Sequence, residues 1–127
     1  HIRRGDFLRN SGNHHNLDLQ WYADALNKFD LDGRQVAIFS DDPEWCKKQE
    51  LFEDDDTFLI SEGNSHYVDL ALMSLCTGHI IANSTFSWWG AWLANSREVI
   101  APKTWFGPNN AHLDTKDLYP DHWEVIE

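Results

Sequence analysis

The sequence predicts an α/β fold, with a parallel sheet that carries helices on both faces. Short apolar runs rich in β-branched residues alternate with segments in which apolar residues recur every three or four positions. The runs have the length of buried parallel strands, and regular alternation of strands with helices builds a doubly wound, Rossmann-like sheet. Polar clusters follow three of these strands. At 127 residues, the chain suits a single domain spanning 1–127.

Five segments are predicted as strands. The first, residues 1–4, has the pattern of the last residues of a strand whose start lies outside the sequence. We therefore expect position 1 to be an internal cut point and the N-terminal part of the protein to be missing. The other strands are residues 35–39, 57–60, 79–82 and 98–101, the last of them stopped by Pro102.

Four helices are predicted between the strands, each beginning at a polar residue able to cap a first turn. They cover residues 19–29 after Asp18, 43–51 after Asp42, 66–77 after Ser65 and 86–93 after Ser84, and Gly78 ends the third of them. Residues 7–17 and 103–127 are predicted as loops, the second with a short terminal segment near 122–126.

The composition excludes several classes of function. A formal net charge of −11 repels nucleic acid and anionic lipid, so an anionic ligand can bind only where cations are gathered locally. No apolar run is long enough to span a bilayer. Cys46 and Cys76 follow no metal-ligand spacing and are expected to be buried free thiols.

The acidic run 53–56 has two interpretations. Four consecutive carboxylates are typical of a solvated loop, which is the favoured interpretation. Asp54 and Asp56 also have the D-x-D spacing of metal-dependent glycosyltransferases, but so short a pattern inside an acidic run is weak evidence.

The first polar cluster contains two adjacent arginines, Arg3 and Arg4, followed by Asp6. Neighbouring residues of a strand point to opposite faces, so we expect one arginine to reach a ligand and the other to pair with a carboxylate such as Asp6. A guanidinium binds a diphosphate with a rigid fork and stabilises the charge that grows on a departing nucleoside diphosphate. A pair of surface arginines held in salt bridges is an equally good interpretation of these residues alone.

Three further positions carry alternatives. Asp41 and Asp42 follow a strand and fit a helix cap better than a ribose-binding carboxylate. Asp69, an acid within an apolar helix, suits either bidentate recognition of guanine or the positive end of the helix dipole. Residues 84–87 fit either an anion site at a helix N-terminus or a plain cap on an aromatic helix.

Taken together, these stretches resemble glycosyltransferase family 11, the α-1,2-fucosyltransferases, especially its bacterial members. The similarity lies in residues 1–7, 39–45, 69–76, 81–92 and 100–106, in that order. The most specific elements are the pattern His1-x-Arg3-Arg4-x-Asp6 and the later Ser-Thr-Phe-Ser-Trp-Trp at 84–89.

The resemblance implies the C-terminal, donor-binding domain of a GT-B glycosyltransferase. The implied reaction is an inverting transfer of L-fucose from GDP-β-L-fucose to a galactoside hydroxyl, without a metal or other cofactor. Arg3 and His1 are implied to lie at the diphosphate, Asp69 at guanine, and Ser84, Thr85, Phe86 and Ser87 in the diphosphate-binding turn, while Arg4 and Asp6 are catalytic candidates with less defined roles.

Two alternatives remain beside this interpretation. One is a noncatalytic nucleotide-sugar or glycan-binding module with the same fold, and the other is a structural domain whose arginines form only salt bridges. The acceptor cleft is expected to need the missing N-terminal domain. A bacterial member is expected in the cytoplasm, peripheral to the membrane, and a eukaryotic one in the Golgi lumen.

Overall fold

A computed structural model describes all 127 residues, and they form alternating helices and strands. In chain order the elements are α1 (Gly5–Arg9), α2 (Leu19–Leu26), β1 (Val36–Ile38), α3 (Pro43–Lys47), β2 (Phe58–Ile60), α4 (His66–Ser74), β3 (Gly78–Ile80), α5 (Thr85–Leu93), β4 (Glu98–Pro102) and β5 (Glu124–Ile126), with 3₁₀ turns at Glu50–Phe52 and Pro108–Asn110.

All the strands run parallel, in two groups joined by the first residues of the chain. Strand β1 pairs with β2, while β4 lies between β3 and β5. Between the groups, the Ile2 N–H donates to the Phe39 carbonyl at 2.8 Å and the His1 amine donates to the Ile80 carbonyl at 2.9 Å. The sheet order is therefore β2, β1, His1-Ile2, β3, β4, β5.

Helices cover both faces of this sheet, as the sequence predicts. Residues of β4 show it directly, because consecutive side chains of a strand point to opposite faces. Ile100 belongs to one buried cluster, which includes Trp21 and Ala25 of α2. Its neighbours Val99 and Ala101 belong to a second cluster, packed with α5. The fold is thus a Rossmann-like α/β domain.

The structure corrects three details of the predicted elements. Residues 5–9, within and beside the predicted loop, form the short helix α1, whose Phe7 is buried. Gly78 does not end α4 but begins β3, and its missing side chain is explained by packing, since a Cβ there would lie 2.7 Å from the Phe29 ring. The terminal segment near 122–126 contains a parallel strand, β5, at the sheet margin.

None of the helices combines the length and the apolar character needed to cross a membrane.

Candidate functional site

The polar residues predicted to bind a ligand lie along one edge of the sheet. Because all strands are parallel, their carboxyl ends meet at the same edge, where α/β sheets bind ligands. We call this the carboxyl edge. In sheet order it consists of Ser61 after β2, 40–42 after β1, Arg3 and Arg4 after Ile2, and 83–84 after β3.

Arg3 lies at the middle of the carboxyl edge and is oriented by two carboxylates. Its Nη2 donates to Asp6 Oδ1 at 2.7 Å, and its Nε lies 3.5 Å from Asp41 Oδ2. The guanidinium carbon lies 5.3 Å from the centre of the Phe7 ring. The side chain remains 31% exposed, and its Nη1 makes no hydrogen bond within the chain. Arg3 can therefore still offer a donor to an anion.

Arg4 has a more enclosed arrangement. Its Nε donates to Asp42 Oδ2 at 3.3 Å, and its guanidinium carbon lies only 3.9 Å from the centre of the Trp45 ring. A guanidinium stacked on an indole and paired with a carboxylate fixes the position of α3 against the first residues of the chain. We expected one arginine to reach a ligand and the other to pair with a carboxylate; in the structure both pair with carboxylates, so pairing alone does not distinguish them.

Asp6 accepts a hydrogen bond from Arg3, the arginine that is implied to bind the ligand. The sequence led us to expect Asp6 to pair with the other arginine, on the opposite face of the strand. Its hydrogen bond from Arg3 holds the pKa of the Asp6 carboxyl below its usual range, and the same arginine's charge adds to the effect. A carboxylate with a lowered pKa is a weak base. This geometry suits Asp6 for orienting Arg3 better than for accepting a proton.

Asp41 is a site residue that sequence reasoning did not separate from its neighbour. Asp42 is the cap of α3, accepting from the Trp45 N–H at 3.2 Å. Asp41 instead accepts from the Arg4 backbone N–H at 2.8 Å and contacts the Arg3 guanidinium. Two adjacent aspartates before a proline fit a cap equally well, so the sequence does not show which one caps α3 and which one contacts Arg3.

The start of α5 lies beside the arginines and has no side-chain cap. Ser84 is the N-cap residue, yet its hydroxyl makes no capping hydrogen bond to the first turn. The His1 and Phe86 rings lie 5.3 Å apart, which brings this turn next to the first residues of the chain. Thr85 is exposed, whereas the fully buried Ser87 hydroxyl donates to the carbonyls of Ala82 and Ser84. Uncapped first-turn amides are free to bind an anion.

Asp69 lies in the first turn of α4, and Ser61 donates to its Oδ1 at 2.9 Å. Ser61 directly follows β2, so this acid also belongs to the carboxyl edge. Strand β1 lies between β2 and Ile2, so the pair stands about 10 Å from the arginine strand along the sheet. The structure thus places Asp69, Arg3 and the α5 start on one edge, without direct contact between Asp69 and Arg3.

Two loops meet beside the start of α5. The buried Asn83 amide donates to the carbonyls of His15 and Trp105, at 2.7 and 2.8 Å. The Gly107 N–H donates to the Asn13 carbonyl at 2.9 Å. Residues 10–17 and 105–110 therefore form one packed wall, which we call the loop wall, next to the carboxyl edge.

The acidic run 53–56 lies at the opposite edge, at the amino end of β2. All four residues are exposed, and Asp54 accepts hydrogen bonds from the Thr57 hydroxyl and the Asp56 N–H. This is the solvated turn that the sequence favoured. Among the cysteines, Cys46 is fully buried, but Cys76 is only half-buried, and burial raises the pKa of both thiols.

The fold and this edge define an α/β domain of the kind that binds nucleotides beyond the carboxyl ends of its strands. Comparison with known proteins then gives the family. The family model described as glycosyl transferase family 11 matches residues 1–127, and the chain belongs to that family.

Two curated relatives from Escherichia coli are similar to this chain. An alpha-1,2-colitosyltransferase is 43% identical over an alignment of 136 positions, covering 100% of this chain and 46% of the relative. An O-antigen biosynthesis glycosyltransferase, WbnK, is 39% identical over 128 positions, covering 94% of this chain and 42% of the relative. No solved structure gives a significant match. The chain spans less than half the length of these relatives.

Proposed function

We propose that this chain forms the donor site of an enzyme that transfers L-fucose, or a closely related sugar, from its GDP conjugate to a galactoside hydroxyl. The observation that supports it is the position of Arg3. The guanidinium stands at the middle of the carboxyl edge, oriented by Asp6 and Asp41, and the uncapped first turn of α5 follows the neighbouring strand. In a chain with a net charge of −11, Arg3 and these first-turn amides still offer donors at this place, beside the carboxylates of Asp6 and Asp41.

In the proposed reaction the acceptor hydroxyl attacks the anomeric carbon while the bond to the diphosphate breaks, and the hydroxyl proton passes to water or to a phosphate oxygen of the departing GDP. The electron pair leaves with GDP, so negative charge grows on the β-phosphate. Arg3 and the N–H groups at the start of α5 are preorganised donors for that charge, which is the arrangement that stabilises a transition state most effectively.

Asp69 is proposed to recognise guanine. Its hydrogen bond from Ser61 orients the carboxylate and uses one oxygen. A carboxylate can accept two parallel N–H bonds, and guanine offers N1–H and its amino group side by side. The side chain is half-buried near the start of α4, where the helix dipole also favours a negative charge.

The sugar carried by the donor is a separate question. One relative is named for colitose, which makes a colitosyl donor the second candidate beside GDP-fucose. The galactoside acceptor, its 2-hydroxyl and the proposed peripheral position at a bacterial cytoplasmic membrane rest on the family resemblance. A noncatalytic binding module remains the alternative to an enzyme.

The proposal is tested with the full-length protein. Calorimetry should show binding of GDP but not of ADP or UDP, and a transfer assay with GDP-fucose, GDP-colitose and a panel of galactosides should release GDP with one donor. Binding of GDP without transfer to any acceptor would support the noncatalytic module. Failure to bind GDP would rule out a binding site for a GDP-sugar donor.

A further inference from the structure

A cleft separates the two groups of strands at the amino side of Ile2. It is a cavity of about 330 Å³ between β1 and β3, lined by residues of both strands. Helix side chains, among them Tyr22, Leu26, Phe52 and Leu75, complete its mostly apolar lining. The cleft therefore lies inside the sheet, at the end of it opposite the candidate site.

The backbone of β1 shows one unpaired side toward this cleft. The Val36 N–H donates to Thr57, and the Ile38 carbonyl accepts from Ser61, so both residues bond β2. Alternate residues of a parallel strand direct their backbone groups to opposite neighbours. The N–H and carbonyl of Ala37 and the N–H of Phe39 therefore point into the cleft, beside the Phe39 carbonyl that accepts from Ile2.

Strand β3 presents the complementary side. The Ile81 N–H donates to Ile100 of β4, so the alternate residues Gly78 and Ile80 face away from β4. The Ile80 carbonyl confirms this direction, since it accepts from the His1 amine. Two strands with unpaired backbone groups thus face each other across a mostly apolar gap, and Ala37, which is exposed, and Gly78 and Ile80, which are partly exposed, have the character of open sheet edges.

We infer that the cleft binds one further parallel β-strand, formed by the residues that directly precede His1 in the longer protein. The His1-Ile2 pair already occupies the position of such a strand at its carboxyl end, bonded to both neighbours. The curated relatives are more than twice as long as the part matched, which provides chain for the segment. Because alternate residues of a parallel strand bond to opposite neighbours, the two hydrogen bonds of His1 and Ile2 fix how the further strand pairs with β1 and β3.

The pairing follows residue by residue. The first residue before His1 donates to the Ala37 carbonyl and accepts from the Phe39 N–H. The second donates to the Gly78 carbonyl and accepts from the Ile80 N–H. Both faces of the strand are covered by helix side chains, so its residues are apolar and β-branched, without the alternation of a half-exposed strand.

The free amine gives a supporting argument. Burial lowers the pKa of the His1 amine to about 6, because an ammonium group is poorly solvated in this cleft. A peptide N–H in the same place makes the same hydrogen bond to the Ile80 carbonyl and carries no charge. The site is thus better suited to a continuing strand than to a charged terminus.

Hydrogen exchange in the full-length protein tests the inference, independently of any donor or acceptor. The amides of Phe39 and Ile80 should exchange at least about a hundredfold more slowly than those of the exposed turn 53–56. Nuclear Overhauser contacts should join the Ile80 amide to the second residue before His1. Proline in place of the first residue before His1 removes the N–H bond to the Ala37 carbonyl and places its ring against β1, so the protection of the neighbouring Phe39 amide should fall, and alanine there should retain it.

Fast exchange at both amides would overturn the inference. So would protection of these amides with contacts to any other segment of the protein or to a second copy of the chain. If the proline variant does not fold, the exchange and contact measurements on the unaltered protein decide the matter alone.

Discussion

At the carboxyl edge, Arg3 is held in a restricted orientation before any ligand binds. A long side chain loses rotamer entropy when a ligand fixes it, and Asp6 and Asp41 already restrict Arg3. Its ion pairs are partly exposed, so they contribute little to stability. Their main effect is to orient the guanidinium, while Arg4 packs on Trp45 and anchors α3.

Replacing Arg3 with lysine should lower kcat/KM of the full-length enzyme by about a hundredfold or more. Lysine keeps the charge but loses the planar fork that contacts two carboxylates and that we propose also binds the phosphate. The exposed Arg9, at the end of α1, provides the matched control, since Arg9→Lys should leave the rate within about twofold. Unchanged transfer with Arg3→Lys would remove this residue from the mechanism.

The buried amine of His1 should make the stability of the 127-residue chain depend on pH. Burial lowers its pKa from 8.0 to about 6, so the unfolded chain binds more protons between these values and stability rises with pH across that window. The full penalty, roughly 3 kcal/mol, applies below about pH 6 and is relieved by about pH 8.

Urea unfolding of the free and N-acetylated chains between pH 5.5 and 8.5 measures this effect. Burial also lowers the pKa of His79, and this largest cause is common to both chains; the smaller lowering by the charge of the amine itself belongs to the measured difference. Parallel stability curves for the two chains would show that the amine is solvated in the folded state.

At the scale of elements, the sequence predicted the interior strands of the sheet better than it predicted the short elements α1 and β5. The interior strands were found because short β-branched runs have few other uses in a globular domain. Helix α1 was not found, because five residues that include a glycine have little intrinsic helix preference, and the buried Phe7 stabilises the turn through tertiary packing. Strand β5 depends on pairing with β4 at 100–102, which its own residues do not reveal.

The same limit applied to the candidate site. Parallel strands place their carboxyl ends on one edge, so the sequence predicted that Arg3, Asp41 and Ser84 would share it. Which carboxylate meets which arginine depends on side-chain geometry, and the pattern alone could not assign it. The binding roles of the site residues stay predictions that a ligand-binding measurement tests.

The loop wall should depend strongly on Gly107. A Cβ at this position would lie 2.5 Å from the Ser11 carbonyl oxygen, a backbone atom that cannot swing aside like a side chain. Gly107→Ala should therefore destabilise the fold by about 1–3 kcal/mol, as overpacking does, or detach the two loops from each other.

Gly33→Ala is the comparison variant, measured by urea unfolding beside it. Gly33 has φ of +69° with open space around it, so alanine there should cost only about 1 kcal/mol of backbone strain. A smaller loss at Gly107 than at Gly33 would show that the loop wall adapts easily.

On the scale of the whole molecule, the sheet separates the arginines from the acidic run 53–56. The arginines and the uncapped α5 start lie at the carboxyl edge, while the acidic run 53–56 lies at the amino end of β2. Strand β2 has three residues, so about 10 Å of strand separates the acidic run from Ser61. This separation keeps the four carboxylates of the acidic run away from the donors that Arg3 and the α5 start can offer to a diphosphate.

That separation leads to a prediction about metal dependence. The D-x-D pair Asp54 and Asp56 lies at the wrong edge to bridge a metal to a diphosphate beside Arg3, and Asp54 is already bonded within its own turn. Adding a chelator to the full-length enzyme should therefore leave the transfer rate within about twofold, and the double variant Asp54→Asn, Asp56→Asn should do the same.

Comparison with Asp69→Asn separates the two acidic regions, since the loss of guanine recognition should raise KM for the donor by about tenfold or more. A rate that collapses with the chelator and returns with added Mg²⁺ or Mn²⁺ would instead assign the phosphate charge to a metal, and Arg3 would no longer be its principal partner.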